Sequence, residues 1–411
     1  MCDNSHLYIS SQIGVPFPLS LRDMHRLHLH PIYARSMGRK QHIIASLLLR
    51  DFAFAMSDMF VPIILLIEGY PLYWIGLFYV VQSIVRICTE LTLPAFFARY
   101  GVQNCLRMSF YLGIGYIVML NYLGVSEYVV IFAGMYAGIM NTFYWIPRHI
   151  DTITVISNSS SKSAQDVSKI EIGTTFMRTL APFIGGLIAQ YISIQVLFGV
   201  AFGILVSASF VISQEARSEK AKKYPKPDLR KAFSGHLTKA QIANFGMNFQ
   251  SDLSGYVWPT FMYLSFTNLG AVGGVLSFTG IVYAGLVYRT GKAKERTLHF
   301  LAGISTRITS FVLRVAASTP LGVVVADVVG GVGHGFFIPL YMDEYYSQAK
   351  VEDMHANVIS MELIGDFGKL TLWSSFTWLT LNFSQGAAFD LIFILGIPAI
   401  GITMLMLRKQ T

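Results

Sequence analysis

The chain has 411 residues, of which 53% are hydrophobic and only 13% are charged, with a formal net charge of +8. Soluble domains carry about 25% charged residues, so this composition, with a mean hydropathy of +0.52, excludes an ordinary soluble protein. The cations lie in short clusters between apolar runs, which is typical of membrane topology and argues against a nucleic-acid partner.

Residues 1–42 form a polar, basic segment that precedes the first long apolar run. The segment lacks the layout of a secretory signal, because no short apolar stretch is followed by a small-residue cleavage site. Part of it, 20–37, has the composition of a basic amphipathic helix on the membrane surface. We therefore predict a cytoplasmic basic segment here.

Apolar runs long enough to cross a bilayer core of roughly 30 Å recur along the rest of the chain. We predict an N-terminal six-helix bundle over 43–214, a cytoplasmic linker over 215–240 and a C-terminal six-helix bundle over 241–411. The predicted helices are 43–67, 73–98, 105–124, 127–147, 167–190, 194–214, 241–264, 270–289, 298–316, 320–342, 356–380 and 387–407.

The orientation follows from the loops. Alternate loops hold the cations, and the intervening loops are short and nearly free of lysine and arginine. By the positive-inside rule, both termini and the linker are then cytoplasmic. The expected location is the plasma (cytoplasmic) membrane, with the lipid bilayer around a multi-pass protein. The cations of the loops predicted to be cytoplasmic include Arg99, Arg107, Arg148, Lys162, Arg289, Lys292 and Lys294.

The chain repeats one pattern at a distance of about half its length. Trp145-Ile-Pro147 returns as Phe337-Ile-Pro339, and Asp151 returns as Asp343. Further along, Glu171 and Arg178 return in the same order as Glu362 and Lys369. A period this long indicates a duplicated bundle and not a solenoid of short repeats.

The loop after the second helix of each half carries a cation and a glycine, as Arg99-Tyr-Gly101 and as Arg289-Thr-Gly291. On these residues the chain resembles the major facilitator superfamily, whose transporters have two six-helix halves related by an axis along the membrane normal. The family pattern also has a leading Gly and an Asp, and both are missing from the two copies here. The run Ala181-Pro-Phe-Ile-Gly-Gly186 is similar to an ending seen in antiporters of the family.

The run Tyr144-Trp-Ile-Pro-Arg-His-Ile-Asp151 also looks like a poorly characterised prokaryotic branch of that superfamily. The resemblance implies an all-α integral membrane protein with about twelve transmembrane helices in two pseudo-symmetric six-helix bundles. It further implies a monomer that moves a small-molecule substrate by alternating access, with no enzyme activity, metal or cofactor. Arg99, Gly101, Arg289 and Gly291 would then form gating loops.

Ionisable residues at membrane depth cost at least ~2.5 kcal/mol each at the helix centre unless they are turned inward and paired, so they are functional candidates. Arg178 and Lys369 lie near the middle of the fifth and eleventh helices, at equivalent places in the repeat. We predict that they bind an anionic or zwitterionic head group in a central cavity.

Asp58 and Asp252 lie at a similar depth on the first and seventh helices. Burial in a low-dielectric environment favours the protonated carboxyl, so these two residues are candidates for proton coupling. The alternative is an ion pair with Arg178 or Arg86.

Arg86 and Glu90 are one helical turn apart, and Asp366 precedes Lys369 by three residues, so each pair can form an ion pair along its own helix. For Arg86 and Glu90, a structural ion pair that locks or gates the halves competes with a role in coupling.

Aromatic and polar residues accompany the repeated prolines. Trp145 and Phe337 precede them, and Asn141 and His334 lie nearby as polar groups. By the layout of the resembling family, the fourth and tenth helices line the cavity, so these four residues are predicted to contact substrate. Ordinary packing and an interfacial aromatic belt are the competing interpretation.

Several functions stay open at this point. Uptake of a small polar solute and proton-coupled efflux of amphiphilic compounds, as in a multidrug antiporter, are both compatible with the sequence. A sensor or scaffold with a transporter-like fold is the alternative from another class. For a membrane enzyme, Asp343-Glu344 with His355 is the nearest approach to a catalytic cluster, and it is unconvincing.

Overall fold

A computed structural model describes residues 31–157, 161–215, 229, 237–290, 295–350 and 353–407, with side chains described from residue 44 except over 155–172 and 214–215. Most of the predicted basic segment and of the linker, together with Gly291 and the side chain of Glu171, lie outside the described residues. The chain divides into a small unit, Met1–Gln41, and a large unit, His42–Thr411. The contacts and the site described below belong to the large unit.

The described residues form helices and no strands. Every predicted crossing is helical, and two of the crossings consist of two consecutive helices. The helices are α1 (Pro31–Ser57), α2 (Val61–Ile67), α3 (Leu72–Tyr100), α4 (Val102–Leu120), α5 (Glu127–Ser157), α6 (Ser161–Tyr191), α7 (Ile194–Glu215), α8 (Lys239–Asp252), α9 (Trp258–Phe266), α10 (Leu269–Thr290), α11 (Arg296–Ala316), α12 (Pro320–Ala349), α13 (Met354–Asn382) and α14 (Gln385–Ile402).

The first and seventh crossings are each broken in the middle. A 3₁₀ turn, Asp58–Phe60, joins α1 to α2, and a π-helical turn, Leu253–Val257, joins α8 to α9. In both cases a proline lies in the first turn of the helix that follows, Pro62 in α2 and Pro259 in α9. Proline has no backbone N–H and cannot continue the hydrogen-bond ladder, which explains why both helices break at equivalent places.

Counting α1 with α2 and α8 with α9, the described helices make twelve crossings, six before the linker and six after it. Six of the helices are long and apolar enough to cross a membrane by length and composition alone. Buried charged residues occur both on these six helices, as Arg86 and Glu90 of α3, and on the others, as Asp366 of α13.

Several helices extend beyond their predicted ends. The helix predicted to end at residue 147 continues to Ser157, and the one predicted to end at 342 continues to Ala349. Pro147 and Pro339 therefore lie inside their helices and do not end them. In consequence Arg148, which the sequence placed in a loop, is a buried residue of α5.

The two halves contact each other through α3 with α13 and through α6 with α10. These pairs exchange under the pseudo-twofold relation, because α10 is the counterpart of α3 and α13 the counterpart of α6. Glycines make the second contact possible: a Cβ on Gly186 would lie 2.6 Å from the carbonyl oxygen of Leu269, and one on Gly273 would overlap the carbonyl of Pro182. Small residues permit this close approach of two membrane helices.

Candidate functional site

A cavity of about 530 Å³ lies between the two halves. We call the side where α7 ends and α8 begins the linker side, and the side of the short turns, such as Glu68–Pro71, the turn side. The cavity is lined mainly by the linker-side halves of α5, α8 and α12 and by the middle of α3, α6, α10 and α13. Its charged lining residues are Arg86, Arg148, Arg178, Lys369, Asp252 and Glu362.

The structure brings most of the predicted substrate-contacting residues together at this cavity. Arg178, Lys369, Asn141, Trp145 and His334 all line it.

The sixth predicted contact lies elsewhere. Phe337 is fully buried in the packing of α11 against α12, where its ring centroid lies 5.1 Å from that of Phe300 and 5.3 Å from that of Tyr341. Its neighbour Ile338 lines the cavity instead, because the helix turns Phe337 away from it.

On the N-terminal wall, a carboxylate from α1 gathers two arginines. Asp51 accepts hydrogen bonds from Tyr144 at 2.5 Å, from Arg148 at 2.7 Å and from Arg178 at 3.2 Å. Asp51 is buried, whereas the Arg178 side chain is 43% exposed. The Arg178 guanidinium also lies 5.4 Å from the ring centroid of Trp145, within the range of a cation–π contact. A single carboxylate thus holds two cations of the cavity wall in place, and Arg178 is the more exposed of the two.

A second charged network crosses from one half to the other. Arg86 on α3 donates from Nε to Asp366 Oδ2 on α13 at 2.6 Å, and Lys369 Nζ lies 3.1 Å from Asp366 Oδ1. Glu90 is 3.8 Å from Arg86 along the same helix. The sequence predicted two separate pairs, one on each helix. The structure joins them into one buried network, because α3 and α13 pack side by side.

Aromatic residues close the cavity toward the turn side. The rings of Tyr79 and Trp373 stack across the two halves with centroids 4.1 Å apart. Asp252 Oδ2 accepts from Trp373 Nε1 at 2.9 Å, and Asp58 accepts from Tyr256 at 2.8 Å. We call these five residues, Tyr79, Trp373, Asp252, Asp58 and Tyr256, the roof. The roof connects helices of both halves through hydrogen bonds and ring contacts.

Asp58 also accepts from Tyr116 at 2.9 Å, so each of its oxygens has a tyrosine hydroxyl as donor. The sequence offered Arg178 or Arg86 as ion-pair partners for Asp58 and Asp252. In the described part of the chain, those arginines bind Asp51 and Asp366 instead. Asp58 lies beside the helix break at α1, which lets it reach two tyrosines.

On the linker side, His149 of α5 meets the C-terminal half. Its Nδ1 lies 3.3 Å from the hydroxyl of Tyr346, and its Nε2 lies 3.9 Å from Glu362 Oε1. Tyr345 donates to the same Glu362 oxygen at 2.8 Å. The contacts of His149 are longer than the hydrogen bonds of the turn-side roof, which measure 2.8 and 2.9 Å.

The predicted gating loops lie at the linker-side helix ends. Gly101 alone separates α3 from α4 with φ of +80°, a backbone conformation that glycine adopts without strain. Arg99 and Arg289 are exposed in the last turns of α3 and α10, and Gly291 lies outside the described residues.

Sequence reasoning missed Arg148 and His149 as cavity residues, and it missed Asp51 as the buried carboxylate that holds two arginines of the wall. Asp51 could have been predicted from the sequence, because it is a carboxylate within the first apolar run, seven residues before Asp58. The amides and tyrosines of the wall could not have been predicted, because a single polar residue on a membrane helix does not reveal which way it faces. These are Gln82, Asn244, Asn248, Tyr256, Tyr283, Tyr341, Tyr345 and Tyr346.

No family model matches the chain, and no curated protein is similar to it in sequence. The similarity is to solved structures. A mutant of the nucleoside transporter NupG superposes with a TM-score of 0.64 at 12% identity, covering 90% of this chain and 100% of that one. A bacterial homologue of the iron transporter ferroportin, in an inward-facing state, superposes with a TM-score of 0.65 at 14% identity, covering 90% of this chain and 97% of that one.

The chain is therefore a multi-pass helical membrane protein. More particularly, it has the major facilitator fold, with two six-helix halves around a central cavity, as the resemblance in sequence implied. The resemblance of the sequence to a prokaryotic branch of the major facilitator superfamily stays a prediction.

Proposed function

We propose that the chain is a secondary transporter that moves a small anionic or zwitterionic solute by alternating access. The observation that supports this most directly is the cavity itself, where Arg178 and Lys369 from equivalent helices of the two halves both line the wall. Asp51 and Asp366 pair with these cations, but Arg178 is 43% exposed and lines the cavity, so its guanidinium is accessible to a solute. An anionic group is favoured there, because a charge-assisted hydrogen bond contributes about 1.5–3 kcal/mol.

The rest of the wall supports a polar solute over an amphiphilic drug. Amides, hydroxyls and imidazoles dominate the lining, and its aliphatic side chains are Met247, Ile338 and Met342. These polar groups would bind hydroxyl or amide groups of the solute, while Trp145 offers a flat ring next to Arg178. A carboxylate or phosphate attached to a hydroxylated or aromatic body fits this chemistry.

Alternating access requires that the two ends of the cavity close in turn. The Tyr79–Trp373 stack and the contact of α6 with α10 would be the turn-side closure, and His149 with Tyr346 and Glu362 the linker-side closure. The solute can drive the change only through a difference in affinity between the two states. In this proposal both termini are cytoplasmic, as the positive-inside rule predicts.

The experiment is a ligand screen followed by transport. Purified protein is screened by thermal shift against carboxylates, phosphates, nucleosides and neutral sugars, because a ligand of the native state raises Tm by mass action. The best ligand is then tested for uptake into proteoliposomes. We expect an anionic compound to bind and to be taken up. A protein that binds its ligand tightly and never moves it would be a sensor with a transporter-like fold.

Arg178→Ala and Lys369→Ala test the solute class. Each variant should weaken binding of the anionic solute roughly 10-fold to 100-fold, from the loss of one charge-assisted hydrogen bond. Arg296→Ala is the control, because Arg296 is exposed at the end of α11 and pairs with Asp343 away from the cavity. Unchanged affinity in both cavity variants would refute an anionic head group.

Coupling to protons is the second part of the proposal, with Asp58 as the carrier. Asp58 lies in the roof, and its hydrogen bond to Tyr256 joins α1 to α8 and α9 across the two halves. Loss of that contact would loosen the turn-side closure. Asp58→Asn should abolish solute accumulation driven by a pH gradient and leave counterflow of solute intact. If accumulation persists in Asp58→Asn, another group carries the proton.

A further inference from the structure

Two buried arginines of α11 contact the break in the seventh crossing. Arg307 and Arg314 are two helical turns apart, are only 4% and 2% exposed, and do not line the cavity. Both donate to the hydroxyl oxygen of Ser254, Arg307 at 2.9 Å and Arg314 at 3.0 Å. Arg307 also donates to Oε1 of Gln250, one turn earlier in α8. The arginines therefore join α11 both to the last turn of α8 and to the π-helical turn that follows it, Leu253–Val257.

Arg314 also contacts the first residue of α9. Its guanidinium carbon lies 4.6 Å from the ring centroid of Trp258, and both arginines lie within 5.3 Å of the ring centroid of Phe311. These distances are within the range of cation–π contacts. Trp258 donates from Nε1 to Asp327 of α12 at 3.0 Å, and Asp327 also accepts from Thr279 of α10 at 2.6 Å. Side chains of α10, α11 and α12 thus surround the start of α9.

The local sequence by itself does not favour a fixed turn here. Gly255 lies in the turn, and glycine is among the poorest helix formers. A Cβ on Gly255 would have no atom within 4 Å, so packing does not require the glycine. Pro259 follows in the first turn of α9 and lacks the N–H that would continue the hydrogen-bond ladder. The shape of the break therefore depends on tertiary contacts, and the arginines of α11 supply them.

The same turn carries two residues of the roof. Asp252 and Tyr256 are four residues apart and lie on one face, whereas Ser254 lies between them and reaches the arginines of α11. Asp252 accepts from Trp373, and Tyr256 donates to Asp58 of the other half. Because both roof residues belong to one short segment, a movement of that segment away from α11 would displace both hydrogen bonds together.

The N-terminal half has a parallel contact. Its third crossing, α4, supplies Tyr116, which donates to Asp58 beside the break in the first crossing at 2.9 Å. Helix α11 is the third crossing of the C-terminal half. In each half, a side chain of the third crossing thus binds the break in the first crossing of that half. The groups differ, since a tyrosine hydroxyl is used in one half and two guanidinium groups in the other.

We propose that Arg307 and Arg314 are positioning residues for the turn-side closure of the cavity. They hold the π-helical turn so that Asp252 and Tyr256 reach their partners in the roof. The proposal rests on the turn-side closure of the proposed transport cycle. It is tested without any solute, so its failure and a failure of the transport proposal are distinguishable.

The test is the access of a maleimide to the cavity from either side of the membrane. Gln82→Cys places the reporter on the cavity wall, in a background without the native cysteines. Arg307→Met and Arg314→Met each remove one donor to Ser254. We expect the reporter to react about 10-fold faster from the turn side, the shift that the loss of one charge-assisted hydrogen bond gives, and no faster from the linker side.

Two other outcomes would overturn the positioning role. An unchanged rate from the turn side would show that the arginines do not hold the closure. Faster reaction from both sides would show that the variants only loosen the fold. Arg296→Gln, on the exposed end of the same helix, is the matched control and should keep both rates.

A pair of variants at Ser254 tests the shared oxygen. Ser254→Ala removes the acceptor and should open the turn side as the arginine variants do. Ser254→Thr keeps a hydroxyl and should react at the wild-type rate. If the threonine and alanine variants open the turn side equally, the hydrogen bonds to this oxygen are not what holds the turn.

Hydrogen exchange of the wild-type protein provides a measurement that does not depend on the folding of any variant. A turn that α11 holds in place should be protected, although its sequence contains Gly255 and precedes Pro259. We expect the backbone amides of residues 253–258 to exchange no faster than those of α8. Free exchange of these amides would refute the proposal.

Discussion

Arg178 and Lys369 occupy equivalent positions in the two halves, but they have different surroundings. Arg178 is 43% exposed and shares Asp51 with Arg148, all three belonging to the N-terminal half. Lys369 is only 14% exposed and binds Asp366, which also binds Arg86 from the other half. The equivalent position thus holds a cation in both halves, but the partners of that cation differ. Arg178 is exposed to the cavity, whereas Lys369 is also part of the bridge between the halves.

The largest loss of stability should come from removing the ion pair between Arg86 and Asp366 that joins the halves. Arg86→Met leaves Asp366 and Glu90 buried with only Lys369 to balance them. Breaking a buried ion pair by removing one partner costs about 3–5 kcal/mol, so Tm of the purified protein should fall sharply. The double variant Arg86→Met with Glu90→Gln removes one charge of each sign and should recover part of the loss. Arg99→Gln, an exposed arginine on the same helix, is the matched control.

If Arg86→Met melts at the wild-type temperature, the network does not hold the halves together. The difference between Arg178 and Lys369 would then lie in their exposure alone.

An effect of intermediate size is expected when the two equivalent cations are removed one at a time. The two variants should then differ in their free energy of unfolding. Lys369→Ala removes a charged hydrogen bond from a buried carboxylate and should cost about 1–3 kcal/mol. Arg178→Ala should change stability by less than about 0.5 kcal/mol, because Asp51 keeps Arg148 and Tyr144 and the lost side chain is half-exposed. Chemical unfolding of both variants in detergent gives the measurement. Equal losses would show that both cations are structural.

The smallest effect should come from the linker-side contact. His149→Ala removes the contacts with Tyr346 and Glu362, which are 3.3 and 3.9 Å long. We therefore expect a change below about 1 kcal/mol in the balance between the two states of the proposed transport cycle. A cysteine at Gln82, in a background without Cys2, Cys88 and Cys105, should then react up to about fivefold faster with a maleimide added from the linker side. An unchanged rate would mean that His149 does not close this end.

The comparison of the halves also shows which features could be predicted from the sequence. Arg178, Lys369, Asp252 and Arg86 could be selected from the sequence, because a charge in the middle of an apolar helix has to turn inward. Their partners could not be selected. The pairing of Arg86 with Asp366 depends on α3 packing beside α13, and these residues are far apart along the chain. The repeat predicted Phe337 as a cavity residue because it is the counterpart of Trp145. In the structure Phe337 is buried in the core, and the next residue, Ile338, lines the cavity.

By itself the sequence determined the class of fold. Its apolar runs, its alternating loop charges and its repeated Trp/Phe-Ile-Pro pattern are local features that require twelve helices in two related sets. Only the tertiary structure decided which polar groups meet. The bilayer offers no water to a buried charge, so each arginine takes the carboxylate or hydroxyl that helix packing brings within reach, and that packing is a property of the whole molecule.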